Sequence, residues 1–186
     1  MGFMSKITVG LGALALLTSG AMAQEQSTNR VAAKTDWSVF VEDDPTECWG
    51  VATPKETVTT REGRVVAATR GQILLMVFYR PSAEAKGQVA FTGGYPFRSG
   101  STVNVNISGN EFELFTDGEW AWPATPADDS KIVTAMKRGA DAVVTGVSSR
   151  GTTTKDTFSL LGFTAAVEDA EARCGSLAAP DKSKTR

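Results

Sequence analysis

Two cysteines, Cys48 and Cys174, stand 126 positions apart near the two ends of what reads as one domain, and their fate constrains the fold more than any other feature. If they are joined, the first and last ordered elements must meet, and closing so long a loop stabilises by about 4–5 kcal/mol in the chain-entropy account. Whether they are joined depends on the compartment. Residues 1–23 point out of the cytoplasm: a short basic start ends at Lys6, an apolar stretch runs from Ile7 to Leu17, and Ala21-Met22-Ala23 supplies the small residues of a cleavage site. An apolar run this short, interrupted by Gly10 and Gly12, falls well below the roughly 20 residues that span a bilayer. The expectation is therefore a signal peptide cleaved after Ala23, with no stable membrane span afterwards. No cysteine lies at the cleavage site, which argues against a lipoprotein. In an exported chain with an even cysteine count, a Cys48–Cys174 bridge is the default. The alternative is two free thiols, one of them catalytic.

That alternative lacks its usual base, because the chain contains no histidine. Ser-His-Asp and Cys-His machinery is excluded, as are zinc sites built on imidazole. Carboxylates and lysine are what remain for catalysis. Among them, Asp128 and Asp129 fall at a helix start, where a capping role already explains them, and Glu111 and Glu113 alternate along a strand. No loop gathers enough carboxylates for calcium. The expectation is a protein that is not an enzyme, with no cofactor and no metal; an enzyme built on Asp128, Asp156 or Lys155 is the competing reading.

Removing the signal leaves 163 residues, enough for one domain with its own core. Lys6 leaves with the signal, so the remaining 18 basic and 21 acidic residues give a net charge of −3. This balance, without a basic run, argues against nucleic acid as a partner.

Along the chain, residues 24–35 are polar and read as a flexible lead-in, and the domain is expected over 36–175, followed by a disordered tail over 176–186. Short β-like runs follow one another: Trp37–Val41, Cys48–Ala52, Val65–Thr69, Ile73–Tyr79, Gln88–Thr92, Thr102–Ile107, Glu111–Phe115, Glu119–Trp122, Ala142–Val147 and Thr152–Leu160. In Thr102–Ile107 the valines and Ile107 alternate with Thr102, Asn104 and Asn106, the mark of a half-buried strand. The continuous apolar run Ile73–Tyr79 reads as a central strand buried on both sides. Ser108-Gly109-Asn110 is a hairpin signal. Many short strands separated by Gly, Pro and Asp indicate a mostly β sandwich or barrel.

Two short helices interrupt the strands. In the first, Thr125 caps, Pro126 suits the first turn, Asp128 and Asp129 complement the positive end of the dipole, and Gly139 ends it, with Ile132, Val133 and Met136 on one face. The second, roughly Thr164 to Arg173 and ended by Gly175, carries Cys174 back towards Cys48.

Candidate binding residues fall in three groups. Trp120 and Trp122 share one strand face, and Tyr95 and Phe97 lie in the loop opened by Gly93-Gly94; aromatics at loop ends can form a platform for sugar, peptide or lipid. Most aromatics of a small β domain are core, which is the competing role. Arg150 and Lys155 flank a row of threonines that could hold an anionic ligand, against the simpler reading in which Lys155 protects a sheet edge.

Several segments taken together, Trp37-Ser-Val-Phe-Val41, the early Cys48, Phe91-Thr-Gly-Gly-Tyr-Pro-Phe97, and above all Ser149-Arg-Gly-Thr-Thr-Thr-Lys-Asp-Thr-Phe-Ser-Leu-Leu-Gly-Phe163 leading through an Ala-rich helix to Cys174, resemble the invasion-associated locus B family of exported proteobacterial proteins. The resemblance implies an immunoglobulin-like β-sandwich in the periplasm with paired cysteines, and attaches no catalytic residue. A periplasmic, non-enzymatic module that binds an unknown protein or envelope ligand is the functional expectation; a surface-exposed adhesin or invasion factor is the alternative.

Overall fold

The computed structural model describes residues 29–177, apart from Pro45 and Glu84. The expected signal peptide (1–23), the first part of the lead-in (24–28) and the tail beyond Leu177 lie outside the described residues. The fold is mostly β with two helices. Its twelve strands are β1 (Arg30–Lys34), β2 (Trp37–Asp43), β3 (Thr46–Ala52), β4 (Glu56–Arg61), β5 (Arg64–Val65), β6 (Leu74–Arg80), β7 (Ala85–Thr92), β8 (Thr102–Ile107), β9 (Asn110–Asp117), β10 (Trp120–Trp122), β11 (Asp141–Val147) and β12 (Thr153–Ser159). Helix α1 spans Pro126–Met136 and α2 spans Phe163–Leu177.

All strands belong to one sheet, ordered β1-β2-β3-β6-β7-β10-β9-β8-β11-β12-β4-β5, and every pairing is antiparallel. The sheet curls until its inner faces meet. Phe91 on β7 and Phe158 on β12, far apart in the strand order, stand ring to ring at 6.1 Å. Trp37 on β2, wholly buried, donates its indole N–H to the Ser159 carbonyl at 3.0 Å. Strand alternation explains the core: Val103, Val105 and Ile107 point inward from β8, Val89 and Phe91 from β7, and Ala142 and Val144 from β11.

Helix α2 lies against β2 and β3 on this inner side. Phe163, Ala166, Val167, Ala170 and Cys174 are its buried residues, an apolar stripe at helical spacing. Phe163 meets Trp37 edge to face at 4.8 Å. Cys174 is bonded to Cys48 with Cα atoms 5.7 Å apart. The approach between the chain before α2 and the β1–β2 turn is close: a Cβ on Gly162, whose φ is +88°, would lie 1.9 Å from the Lys34 carbonyl oxygen. Helix α1 packs on β7. Thr125 caps it, accepting from the Asp128 N–H, while the buried Asp129 carboxylate reaches past the helix and accepts the Val89 N–H at 2.7 Å.

Several expectations need correction. Residues 30–34, placed in the flexible lead-in, form the edge strand β1 paired to β2. Of the expected Val65–Thr69 strand only Val65 pairs, in β5 with Arg64 before it, and 66–73 run irregularly to β6. A hairpin not foreseen joins β4 to β5 through Glu62 and Gly63, both at positive φ, as a two-residue turn demands. The β8–β9 hairpin does turn through Ser108 and Gly109 in the same conformation. Helix α2 does not stop at Gly175 but continues to Leu177.

The irregular 66–73 segment is held down by one buried ion pair. Arg70 donates from both terminal nitrogens to the two Asp156 carboxylate oxygens at 2.6 Å each, and its Nε donates to the Gly93 carbonyl at 2.8 Å. The Asp156 side chain is 0% exposed and that of Arg70 8%. Beside it Gly71 N–H donates to Gly94 O, and a Cβ on Gly94 would lie 2.7 Å from the Gly71 backbone, so Gly94 is what lets the two loops cross.

Two predictions follow from this architecture. Reducing the Cys48–Cys174 bond, or replacing both cysteines by alanine, lowers unfolding free energy by about 4–5 kcal/mol, measured by urea denaturation with and without reductant. Asp156→Asn, which leaves a buried guanidinium without its counter-charge, costs about 3–5 kcal/mol in the same assay, whereas Asp117→Asn at an exposed turn changes stability by less than about 0.5 kcal/mol.

Candidate functional site

Among the described residues two surfaces stand out as candidate sites, and they lie on opposite sides of the sheet wall. The first is the outer face of β2, β3, β6, β7, β10 and β9. Direct antiparallel partners project to the same face, so Phe40, Trp49 and Phe78 form one row through consecutive pairings. Val51, Met76 and Ala90 form the next. Leu74, Thr92 and Trp120 form a third, and Trp122 stands opposite Phe115. The rings touch one another: Phe40 stacks on Trp49 at 5.5 Å, Trp49 lies 6.0 Å from Phe78, and Trp120 stacks on Trp122 at 5.7 Å.

Eight of these residues make a second apolar cluster, separate from the main core, in which Met76, Phe78 and Ala90 are buried beneath Trp49, Val51, Leu74, Trp120 and Trp122. The run read as a strand buried on both sides is β6, and both its faces are indeed covered. Its outer cover, however, is the neighbouring strands' own aromatic side chains, since the buried residues of both helices join the inner core. Those covering tryptophans are partly buried, and Phe115 is 50% exposed. At one border of the patch Arg80 lies over the Phe78 ring at 4.2 Å, pairs with Glu47 and donates to the Gln88 side-chain oxygen at 2.8 Å.

The second surface is a cavity of about 550 Å³ at one end of the curled sheet. Thr59 of β4 and Thr154 of β12, direct partners, form its floor. Residues 66–70 and 94–96 form the walls, and Arg61, Arg150 and Glu119 stand among the lining. The Tyr95 hydroxyl hydrogen-bonds Thr154, and its ring is covered by the Arg70 guanidinium at 5.1 Å. Burial pushes the Tyr95 hydroxyl above its ordinary pKa, with the Thr154 hydrogen bond and Arg70 opposing, so it stands here as a neutral donor and acceptor.

The residues singled out from sequence thus separate. Tyr95 and Arg150 come together in the cavity; Trp120 and Trp122 sit together on the outer face. Phe97 does neither: it is buried in the core, 6.1 Å from Phe91 and 5.1 Å from Tyr95. Lys155 alternates away from Thr154 and Asp156, pairs in register with Val58 and Thr145, and stays exposed outside the cavity. Sequence reasoning missed Trp49 and Phe78 as companions of Trp120, and Arg61 and Arg70 in the cavity. One signal was readable: Asp156 shares strand parity with Phe158, so an inward Phe158 places a carboxylate in the core, which requires a buried cation.

The carboxylates weighed for catalysis have other work. Asp128 accepts from Thr125 and Lys131, and these hydrogen bonds hold its carboxyl below the ordinary value. Asp129 is tied to Val89, and burial moves its pKa up. Among the described residues no group of three or more Cys, Asp or Glu is placed to hold a metal ion, and no helix is long and apolar enough to cross a membrane.

Among curated proteins none matches the chain, and among solved structures none does either. The sequence model of one family does match, that of the invasion associated locus B (IalB) protein, over residues 37–171. The matched span opens at the buried Trp37, closes within α2, and contains both the aromatic face and the cavity. A disulfide in a chain with this match fits an exported protein. Covering most of the sequence and nearly all of the described fold, the match shows that the chain belongs to the invasion associated locus B (IalB) family.

Proposed function

We propose that this chain is a non-enzymatic interaction module of the periplasm, which holds a partner protein of the cell envelope on the aromatic outer face of its sheet. The observation that carries the reading is that Trp49, Trp120 and Trp122, partly buried, and Phe115, exposed, lie on one continuous sheet face covered by neither helix. A contiguous aromatic patch left open to water marks an interaction surface, and tryptophan is the residue most enriched where binding energy concentrates. Size argues for a protein rather than a small ligand. From β2 to β9 the face crosses five strand intervals, about 24 Å at the usual spacing. A face of that width exceeds the reach of a small ligand and suits the extended contact of a protein partner. The border formed by Arg80, Glu47 and Gln88 has the polar character of an interface rim.

The periplasmic part of the proposal draws on the expected signal peptide, the family and the disulfide. Its non-enzymatic part draws on the missing histidine and on the structural employment of Asp128, Asp129 and Asp156.

A photoreactive residue placed at Trp120 in living cells tests the reading, with the same residue at Lys155, on a different strand well away from the patch, as control. The expected outcome is a discrete adduct to one envelope protein from position 120 only, lost when Phe115→Ser is added while thermal stability changes by no more than a few degrees. Absence of any adduct, or an adduct only to a second copy of the chain, overturns it. Protease added to intact cells should leave the protein untouched; digestion would place it on the outer surface instead.

A further inference from the structure

We propose that the cavity between β4, β12 and the 66–70 segment is a binding site for a small anionic, hydroxyl-rich ligand of the sugar-acid or sugar-phosphate class, independent of the aromatic face.

The charge in the cavity is uneven. Arg70 is neutralised by Asp156, but Arg61 and Arg150 also line the space, and among the described residues neither pairs with a carboxylate. Glu119 is the single opposing charge of the lining apart from that neutralised pair. The cavity is therefore locally positive in a chain whose formal net charge is −2. Guanidinium groups offer forked donors to carboxylate or phosphate oxygens, and two unpaired ones in one concavity favour an anion. Two are too few to track a nucleic-acid backbone, where affinity grows with each phosphate neutralised.

The rest of the lining suits hydroxyl groups. Thr59, Ser148, Thr152 and Thr154 are buried at its base. The Ser148 and Thr152 hydroxyls share one hydrogen bond at 2.6 Å, Ser148 Oγ also accepts the Thr152 N–H at 3.1 Å, and Thr154 shares one with Tyr95. A hydroxyl is one donor and two acceptors, so each retains capacity for a ligand hydroxyl. On the opposite wall Ala67, Ala68 and Thr69 are exposed and make no main-chain hydrogen bond among the described residues, which leaves amide donors and carbonyl acceptors turned to solvent in an otherwise paired sheet protein. At about 550 Å³ the space falls within the range of small-molecule pockets, and its aliphatic lining is limited to Val66, the two alanines and Pro96. An apolar side chain would find little to pack against; a polyhydroxylated anion would find partners throughout.

Calorimetric titration of the disulfide-bonded exported protein tests this, with glucuronate, glucose 6-phosphate, glucose and inorganic phosphate as probes. The expected result is binding of the first two, weakening as salt is raised because both rim charges are solvent-screened, and none of glucose. Arg61→Gln and Arg150→Gln, both at exposed positions, should each weaken binding at least about tenfold, the loss of one charge-assisted contact. Trp120→Ser should leave it unchanged. An oligouronate that binds more tightly than glucuronate supports an envelope polysaccharide as the source, and equal binding supports the free sugar acid. Glucose binding as well as glucuronate, inorganic phosphate binding as well as glucose 6-phosphate, unchanged affinity in both arginine variants, or no binding tighter than about 1 mM would each overturn the proposal.

Discussion

A twelve-strand antiparallel sheet with one strongly apolar face persists in water only if that face is folded against itself, and the rest of this molecule depends on that closure. Trp37 shows how it is held. Its ring fills the space between β2 and α2, its indole N–H reaches the Ser159 carbonyl across the core, and the neighbouring Asp36 N–H donates to the Leu161 carbonyl. The start of the sheet is thereby fastened to the strand that precedes α2. The disulfide then fixes the far end of the same helix to β3, so α2 is secured at both ends over the seam.

The local grammar of the strands was readable because burial on one face writes itself as alternation, most plainly in Thr102–Ile107. Where the reading failed, tertiary context outweighed propensity. Val65-Val66-Ala67-Ala68-Thr69 has strand-forming composition, yet β propensity expresses packing against neighbours, and beyond Val66, whose N–H still reaches the Thr59 carbonyl, residues 67–69 find no main-chain partner among the described residues. Arg30–Lys34 has the opposite character: little apolar contrast, but main-chain bonds to β2 on one side. Gly175 did not end α2 because Cys174 is anchored one residue before it and the glycine itself faces open space, where its lack of a side chain costs little.

The cavity was half legible for a related reason. Tyr95 and Arg150 were visible as a loop aromatic and a cation beside hydroxyls, but nothing in their spacing says that 66–70 forms the facing wall. That arrangement comes from the Arg70–Asp156 pair, whose members lie 86 positions apart. Phe97 had the same local character as Tyr95 and went to the core, because an isolated bridge to Ser148 turns it inward while the Tyr95 hydroxyl finds Thr154. A hydroxyl that must be satisfied separates two rings that hydrophobicity alone would treat alike.

The aromatic face raises the question of how a protein carries such a surface without a second layer over it. The tryptophans are themselves the layer: stacked flat along the strands, they reduce Met76 to 8% exposure and Phe78 to 6%. The larger rings cover the smaller apolar groups, and Arg80 closes one border with its charge over Phe78 and its donors on Glu47 and Gln88. Because this cluster lies outside the main core, losing an outer ring exposes apolar surface locally and leaves intact the closure that holds the fold. The main core and the outer aromatic cluster therefore occupy opposite faces of the same strands, with Val77 and Leu75 in one and Phe78 and Met76 in the other. The strict two-residue period of a β-strand makes that division possible, and it explains why the uninterrupted apolar run of β6, which hides its alternation, contributes to both clusters at once.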